Sequence, residues 1–260
     1  MNTGLKNKNL QKVTFIKHWT ENLFSFRIQR PASFKFRSGE FVMIGLANQD
    51  GKPILRAYSI ASPSWSEELE FYSIIVEDGP LTSRLKNIIV NDEIILMPKP
   101  TGTLVLDALK PGKRLFLLSS GTGFAPFSSL IREPETFEKF EKVIVTHTCR
   151  TVKELKYSQD VINDALSDEM ISEFISNKLI FYHSTTREDY INKGRITDLI
   201  TSHKLFKDLE IKKISKDDRI MICGSMGLNN DLKDILGNLN LNEGANNNPA
   251  EFVLEKAFVG

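Results

Sequence analysis

The hydrophobic pattern changes period part-way along the chain, and that change limits the available folds more than any other feature. In the first hundred or so residues, apolar side chains fall in short runs rich in Val, Ile, Phe and Tyr, at 13–18, 23–28, 40–46, 55–60, 69–76 and 93–97. Turn residues such as Gly39, Asn48 to Gly51 and Asp78-Gly79-Pro80 bound them, the signature of short antiparallel strands. Their spacing predicts an antiparallel β-barrel. One helix is expected to interrupt it over 83–89, where Leu85, Ile88 and Ile89 make an apolar stripe. Further on, β-rich runs at 114–119, 142–148, 178–185 and 219–224 alternate with helical spacing at 124–132, 153–176, 196–204 and 228–236. That order predicts an α/β doubly wound parallel sheet. An Asn-rich loop over 238–249 leads to a last strand at 251–255. The patterns meet at 106–112, so two domains are expected, residues 1–105 and 106–260.

Composition narrows the function classes. The 260 residues, 41% of them hydrophobic, suffice for two cores. A formal net charge of +1 argues against a nucleic-acid binder that works by bulk electrostatics. Cys149 and Cys223 are far apart, as are His18, His147, His183 and His203, so a metal held by protein ligands is not expected. His147 and His183 lie inside apolar strands and read as core or strand-end residues. No apolar run reaches the length of a membrane span. Residues 1–11 lack the apolar centre of a signal peptide, and with two unpaired cysteines the cytoplasm is the expected compartment.

Several short segments carry chemistry. In Arg56-Ala57-Tyr58-Ser59, strand geometry puts Arg56 and Tyr58 on one face and Ser59 on the other. A guanidinium holds a pyrophosphate bidentately, a tyrosine ring stacks on a flat heteroaromatic, and a neighbouring hydroxyl reaches its reactive edge. That set suits a flavin. Asp78-Gly79-Pro80-Leu81-Thr82-Ser83 leads into the short helix; it reads either as a diphosphate site at a helix start or as an ordinary capped turn. Ser119 to Pro126 contains Gly121-Thr122-Gly123 directly after the first parallel strand, where such sheets bind nucleotides. The third glycine of the usual fingerprint is replaced by Pro126, which suits a first helical turn.

The strand ends also bear on cofactor choice. NAD-binding sheets place an acid after the second strand, but here His147-Thr148-Cys149 is followed by Arg150. Arg187 and Arg195 follow the third strand. Cations there suit a phosphate on the ribose, although each also reads as a solvated surface arginine. Cys223-Gly224-Ser225-Met226 ends the fourth strand. Gly224 is expected to let a ligand approach the backbone, and Cys223 either faces that ligand or is a buried structural thiol. The chain closes on an apolar, aromatic stretch from Phe252 to Gly260, within which Glu255 either pairs with a lysine or serves a proton path.

Taken together, Arg56 to Ser59, Gly79 to Ser83, Gly121 to Pro126, Cys223 to Ser225 and Glu255-Lys256-Ala257-Phe258-Val259-Gly260 resemble the bacterial-type ferredoxin–NADP(H) reductases, in the subgroup ending Ala-Phe-Val-Gly. The resemblance runs over nearly the whole chain. It implies an FAD-binding antiparallel barrel followed by an NADP-binding α/β domain. It assigns Arg56, Ala57, Tyr58, Ser59, Tyr72, Pro80, Leu81, Thr82, Ser83, Thr122, Ala257 and Phe258 to FAD, with Tyr58 stacked on the isoalloxazine. Gly121, Arg150, Arg187, Arg195, Gly224, Ser225 and Met226 are assigned to NADP(H), Arg187 and Arg195 at the 2′-phosphate. Ser59, Tyr58, Cys223 and Glu255 are the implied catalytic set, with Ser59 at flavin N5 and Glu255 in proton relay. Plastid reductases cover the flavin with a terminal tyrosine; here Ala257 matches that position, with three residues beyond it.

The implied activity moves electrons between NADPH, as hydride, and a one-electron carrier, ferredoxin or flavodoxin. Lys35, Arg37 and Arg84 are candidates for a docking patch. A monomer is the family expectation. The alternatives are a flavin reductase, the reductase component of an oxygenase, and a non-catalytic flavin-binding sensor subunit.

Overall fold

The computed structural model describes residues 9–256. The first six strands are β1 (Leu10–His18), β2 (Leu23–Gln29), β3 (Phe41–Ala47), β4 (Pro53–Ser59), β5 (Glu68–Ile74) and β6 (Glu93–Leu96). They form one antiparallel sheet in the order β4-β3-β6-β1-β2-β5. Its two edges approach each other just past β4, where Ala61 N–H donates to Glu70 O at 2.8 Å. The period-2 pattern turns Phe24, Phe26, Ile28, Val42, Ile44 and Phe71 inward into one apolar cluster. Fully burying each such side chain stabilises the fold by roughly 1.5–3 kcal/mol.

The helix expected over 83–89 is a single turn, α1 (Thr82–Leu85). Beyond it the chain continues in i→i+3 bonds, Asn87 N–H to Arg84 O and Ile88 N–H to Leu85 O. The β-branched run Ile88-Ile89-Val90 disfavours further helix, and Asn91 turns the chain at φ 79°. Of the apolar stripe, Leu85 and Ile88 pack into the barrel cluster while Ile89 is exposed.

The second sheet comprises β7 (Arg114–Ser120), β8 (Lys142–Cys149), β9 (Leu179–Thr185), β10 (Asp218–Gly224) and β11 (Phe252–Lys256). It is wholly parallel, in the order β11-β10-β7-β8-β9. Its helices are α2 (Ala125–Leu130), α3 (Pro134–Lys139), α4 (Lys156–Ser167), α5 (Ser172–Ile175), α6 (Ile196–Thr201), α7 (Lys204–Asp208) and α8 (Met226–Asn238). Leu115, Leu117, Val143, Val145 and Cys223 face one helical layer, while Phe116, Leu118, Ile144 and Ile222 face the other. Burial on both sides explains the nearly unbroken apolar runs.

Two helices read as continuous in the sequence are broken. The stretch 153–176 divides into a 3-10 turn (Lys153–Leu155), α4 and α5. Asp168 stops α4 with extended backbone, ψ 119°, and its Oδ1 accepts from Met170 N–H at 2.8 Å, the local side-chain bond that competes with helix. The stretch 196–204 breaks at His203, which adopts φ 64° between α6 and α7. The turn Gly121–Phe124 is 3-10, with Pro126 in the first turn of α2 as expected. Helix α3 went unpredicted between two β-rich runs.

The two sheets meet across a polar clamp. Arg132 at the end of α2 donates to Ala61 O at 2.6 Å and lies 3.7 Å from buried Glu70. Tyr157 Oη donates to Glu70 at 3.2 Å, and Glu133 accepts from the Ser38 and Ser64 hydroxyls at 2.7 and 2.8 Å. These bonds fix the barrel against the carboxyl edge of the parallel sheet.

Candidate functional site

The order of the parallel sheet reverses at β7, with β8 on one side and β10 on the other, so a crevice opens at the carboxyl ends of these strands. A cavity of about 450 Å³ lies there. Ser120, Gly121 and Thr122 line it after β7, Thr148, Cys149 and Arg150 after β8, and Thr186 and Arg195 after β9. Ser225 and Gly227 line it after β10, and Leu23 and Ile74 of the barrel close it.

The glycine turn is shaped by two requirements. Gly121 adopts φ +53°, with nothing within 4 Å of where a Cβ would stand; conformation alone is its reason. Its carbonyl accepts from His147 Nε2 at 2.9 Å. Gly123 is there for space, since a Cβ would lie 2.1 Å from Cys223 O. That contact brings the turn after β7 onto the end of β10. At Gly224 a Cβ would meet Leu228 Cδ2 at 2.5 Å and Ser120 Oγ at 2.6 Å. The close approach that this glycine allows is made by the protein's own side chains.

His147 is fully buried and its pKa is lowered to about 4 by desolvation. Neutral, it donates from Nε2 to Gly121 O, while Nδ1 lies 2.7 Å from Ser158 Oγ. It is a strut beneath the glycine turn, as its apolar strand implied.

Arg150 and Arg195 line the cavity, and the loop carrying Arg187 runs beside Arg150, the Arg187 N–H donating to Arg150 O at 3.0 Å. All three are exposed. Two cations from residues far apart in the chain thus line the crevice, and the loop of a third lies next to Arg150. Ser225 caps α8 by accepting from Leu228 N–H at 3.2 Å, and Met226 beside it is exposed.

On the barrel, burial alternates along β4 as strand geometry requires. Tyr58 is buried and Arg56 half-buried on the same face, with Ala57 exposed and Ser59 half-buried on the other. The Tyr58 ring sits 7% exposed in the barrel core, edge-on to Phe71, with its hydroxyl 3.0 Å from Ser73 Oγ. Burial pushes its phenol pKa up. Arg56 donates to Leu55 O at 2.9 Å.

The Thr82 hydroxyl donates to Val76 O at 3.0 Å and accepts from Val76 N–H at 3.1 Å. It closes the turn holding Pro80 and buried Leu81, while Ser83 stays half-buried. Thr82 therefore shapes this turn from within. Of the proposed docking residues, Lys35 and Arg84 are exposed, whereas Arg37 is engaged with Glu40 at 2.9 Å.

Tyr72 stacks on Tyr157 with ring centroids 4.0 Å apart. Burial holds its pKa well above the usual range, so it stays a donor. Its Oη is buried with no hydrogen-bond partner among the described residues. An orphaned buried phenol costs stability unless something accepts from it, so a group bound between barrel and sheet fits there. No sequence signal pairs Tyr72 with Tyr157.

Cys223 is 1% exposed and lies in register between Ser119 and Glu255. Burial pushes its thiol well up, with Glu255 adding to the effect. The Glu255 carboxylate accepts from the Thr103 N–H and, at 3.2 Å, from its hydroxyl. Desolvation raises its pKa to about 7, with Glu40 contributing and the Thr103 bonds opposing. Neither Thr103 nor Glu40 carries a motif that the sequence would flag. Ala257 and Phe258 lie outside the described residues.

Comparison with known proteins agrees with this architecture. Residues 8–106 match the oxidoreductase FAD-binding domain family and 117–234 the oxidoreductase NAD-binding domain family. A flavodoxin/ferredoxin–NADP reductase of Rhodobacter capsulatus is 58% identical over 251 residues, 96% of this chain and 93% of that protein. A ferredoxin–NADP reductase of Azotobacter vinelandii is 46% identical over 257 residues, 98% of this chain and 99% of that one. Among solved structures, a ferredoxin NADP+ reductase of Neisseria gonorrhoeae with bound FAD and NADP superposes with a TM-score of 0.86 at 27% identity, covering 96% of this chain and 98% of the other. With its barrel, its arginine-lined crevice and relatives at this identity over nearly its whole length, the chain belongs to the bacterial ferredoxin–NADP reductases.

Proposed function

We propose that this chain is a ferredoxin/flavodoxin–NADP reductase, binding FAD on the barrel and NADP(H) in the crevice. The observation that carries the reading is that Arg150 and Arg195, with the Arg187 loop bonded beside Arg150, border a crevice lined by the Gly121-Thr122 turn. FAD, when bound, supplies the exchange between a two-electron hydride and single electrons; the protein supplies orientation and electrostatics.

Arg56, Ala57, Tyr58, Ser59 and Tyr72 are the residues we assign to FAD on the barrel side, with Pro80, Leu81, Thr82 and Ser83 around the pyrophosphate. Tyr72 contributes the unpaired donor, and Thr122 stands at the junction with the crevice. Arg187 and Arg195 are assigned to the 2′-phosphate, with Arg150 beside them. Gly121, Gly224, Ser225 and Met226 complete the nucleotide's surroundings. Ala257 and Phe258 remain assigned to FAD by resemblance alone. Glu255 is assigned to proton relay: a carboxyl with a pKa of about 7 holds or releases a proton at working pH, and its fixed contact with Thr103 orients it. Cys223 sits beside it as a neutral thiol.

A division near residue 106 follows the limits of the two matched families, and we read the enzyme as a monomer. The carrier is ferredoxin or flavodoxin, by analogy with the named relatives. Buried unpaired Cys149 and Cys223 are consistent with a cytoplasmic location. Among the described residues no helix is long and apolar enough to cross a membrane.

The test is a coupled assay on the holoenzyme with NADPH, purified ferredoxin or flavodoxin, and cytochrome c as final acceptor. Cytochrome reduction that depends on the carrier supports the reading. Fast reduction of free flavin, unaffected by either carrier, favours a flavin reductase.

A further inference from the structure

The loops that follow β8 and β9 are joined by a carboxylate with no part in the site as described so far. After Cys149, three consecutive backbone N–H groups need acceptors. Glu154 Oε2, within the same loop, takes Arg150 N–H at 2.7 Å and Thr151 N–H at 3.4 Å. The third, Val152 N–H, goes across to Glu188 Oε2 in the other loop at 2.7 Å. The loops already run side by side, with Thr186 N–H on Cys149 O at 2.9 Å and Arg187 N–H on Arg150 O at 3.0 Å. Glu188 is held in place by its own carbonyl, which accepts from Thr185 Oγ1 at 2.6 Å. It adds a third rung beyond the two backbone bonds, directly next to Arg187.

We propose that Glu188 is a positioning residue for nucleotide choice: by tying its loop to Val152 it holds Arg187 beside Arg150, and so favours a nicotinamide nucleotide bearing a 2′-phosphate. The proposal rests on the assignment of Arg150, Arg187 and Arg195 to that phosphate. A negative charge among cations that must attract a phosphate opposes binding by itself. Glu188 is exposed, however, so its repulsion is screened by solvent and salt, whereas the loop tie acts whatever the ionic strength. The loop is also pinned further on, where Tyr190 Oη meets His183 Nε2 at 2.8 Å and Asn192 Nδ2 donates to His183 O at 3.1 Å. Loss of the Glu188 tie thus loosens one rung without unfolding the loop.

The two effects of Glu188 separate in two variants. Glu188→Gln keeps an acceptor for Val152 N–H and loses the charge; Glu188→Ala loses both. Affinities of the holoenzyme for 2′,5′-ADP and 5′-AMP are measured by calorimetry, and KM is measured for NADPH and NADH. Glu188→Ala is expected to weaken 2′,5′-ADP and raise KM for NADPH by about five- to tenfold, the loss of one hydrogen bond, with 5′-AMP, NADH and kcat unchanged. Glu188→Gln is expected to behave like the parent. An Ala variant that binds 2′,5′-ADP as well as or better than the parent overturns the proposal, as does a Gln variant as weak as Ala. If the parent itself binds 2′,5′-ADP no better than 5′-AMP, the arginine assignment falls first and the proposal with it.

Discussion

Gly123 and Glu255 carry much of the site's geometry and its pH response. A Cβ at Gly123 would stand 2.1 Å from Cys223 O, a backbone atom fixed in the sheet. Gly123→Ala is therefore expected to cost about 1–3 kcal/mol of stability, the usual penalty of overpacking, read as a lowered thermal midpoint of the purified protein. Glu255 acts through protonation. Its pKa is raised from 4.5 to about 7 on folding, so the folded state prefers the protonated carboxyl. Stability from this group is intact at low pH and lost as pH rises from about 4.5 through 7, by up to about 3 kcal/mol. Glu255→Gln keeps an acceptor for Thr103 and abolishes that slope. Denaturant midpoints at pH 5 and pH 8 test this: the variant should gain on the parent at pH 8 and not at pH 5. Equal midpoint differences at both pH values count against a buried neutral carboxyl.

At the scale of elements, the strands were legible and the helices less so. A period of two bounded by Gly, Asn and Asp marks the barrel strands, and short, nearly unbroken apolar runs mark the parallel ones. The helices failed where local bonds outweigh apolar spacing. Asp168 draws Met170 N–H to its own side chain, His203 takes a left-handed turn, and Ile88 to Val90 are stiff at χ1. Asp168→Ala removes that hydrogen bond and is expected to cost about 1 kcal/mol, with faster amide exchange confined to α5 and the end of α4. In the site, residues next to a motif glycine or at a strand end were legible, because topology dictates where strand ends go. Thr103, Glu40 and Tyr157 were not, because each acts through a contact spanning many residues of chain: Thr103 reaches Glu255, Tyr157 reaches Tyr72 and Glu70. The crowding of Gly224 by Leu228 and Ser120 was not legible either, because those neighbours come together only when the chain folds.

The whole molecule depends on how firmly the barrel is held against the sheet, since reacting groups on the two sides have to meet at about 3–3.5 Å. One apolar cluster runs across the junction from Leu23 and Tyr72 to Phe124 and Tyr157, and the Arg132–Glu70 clamp flanks it. Calorimetry should show one cooperative transition, because the cluster spanning the junction couples the two halves even though each also has an apolar cluster of its own. Arg132→Ala leaves Glu70 with weaker compensation and is expected to cost about 3 kcal/mol, splitting or broadening the transition. The same junction admits the nicotinamide nucleotide, and its arginines set which one.

The most direct measurement is anaerobic stopped-flow mixing of the holoenzyme with NADPH or NADH while following the visible flavin band. The parent should bleach far faster with NADPH at sub-saturating concentration, and an Arg187→Ala, Arg195→Ala double variant should lose most of that preference while keeping its reaction with NADH. Both arginines are exposed, so the fold should survive the change. Equal rates with the two nucleotides in the parent would contradict the account, and so would a double variant that still prefers NADPH.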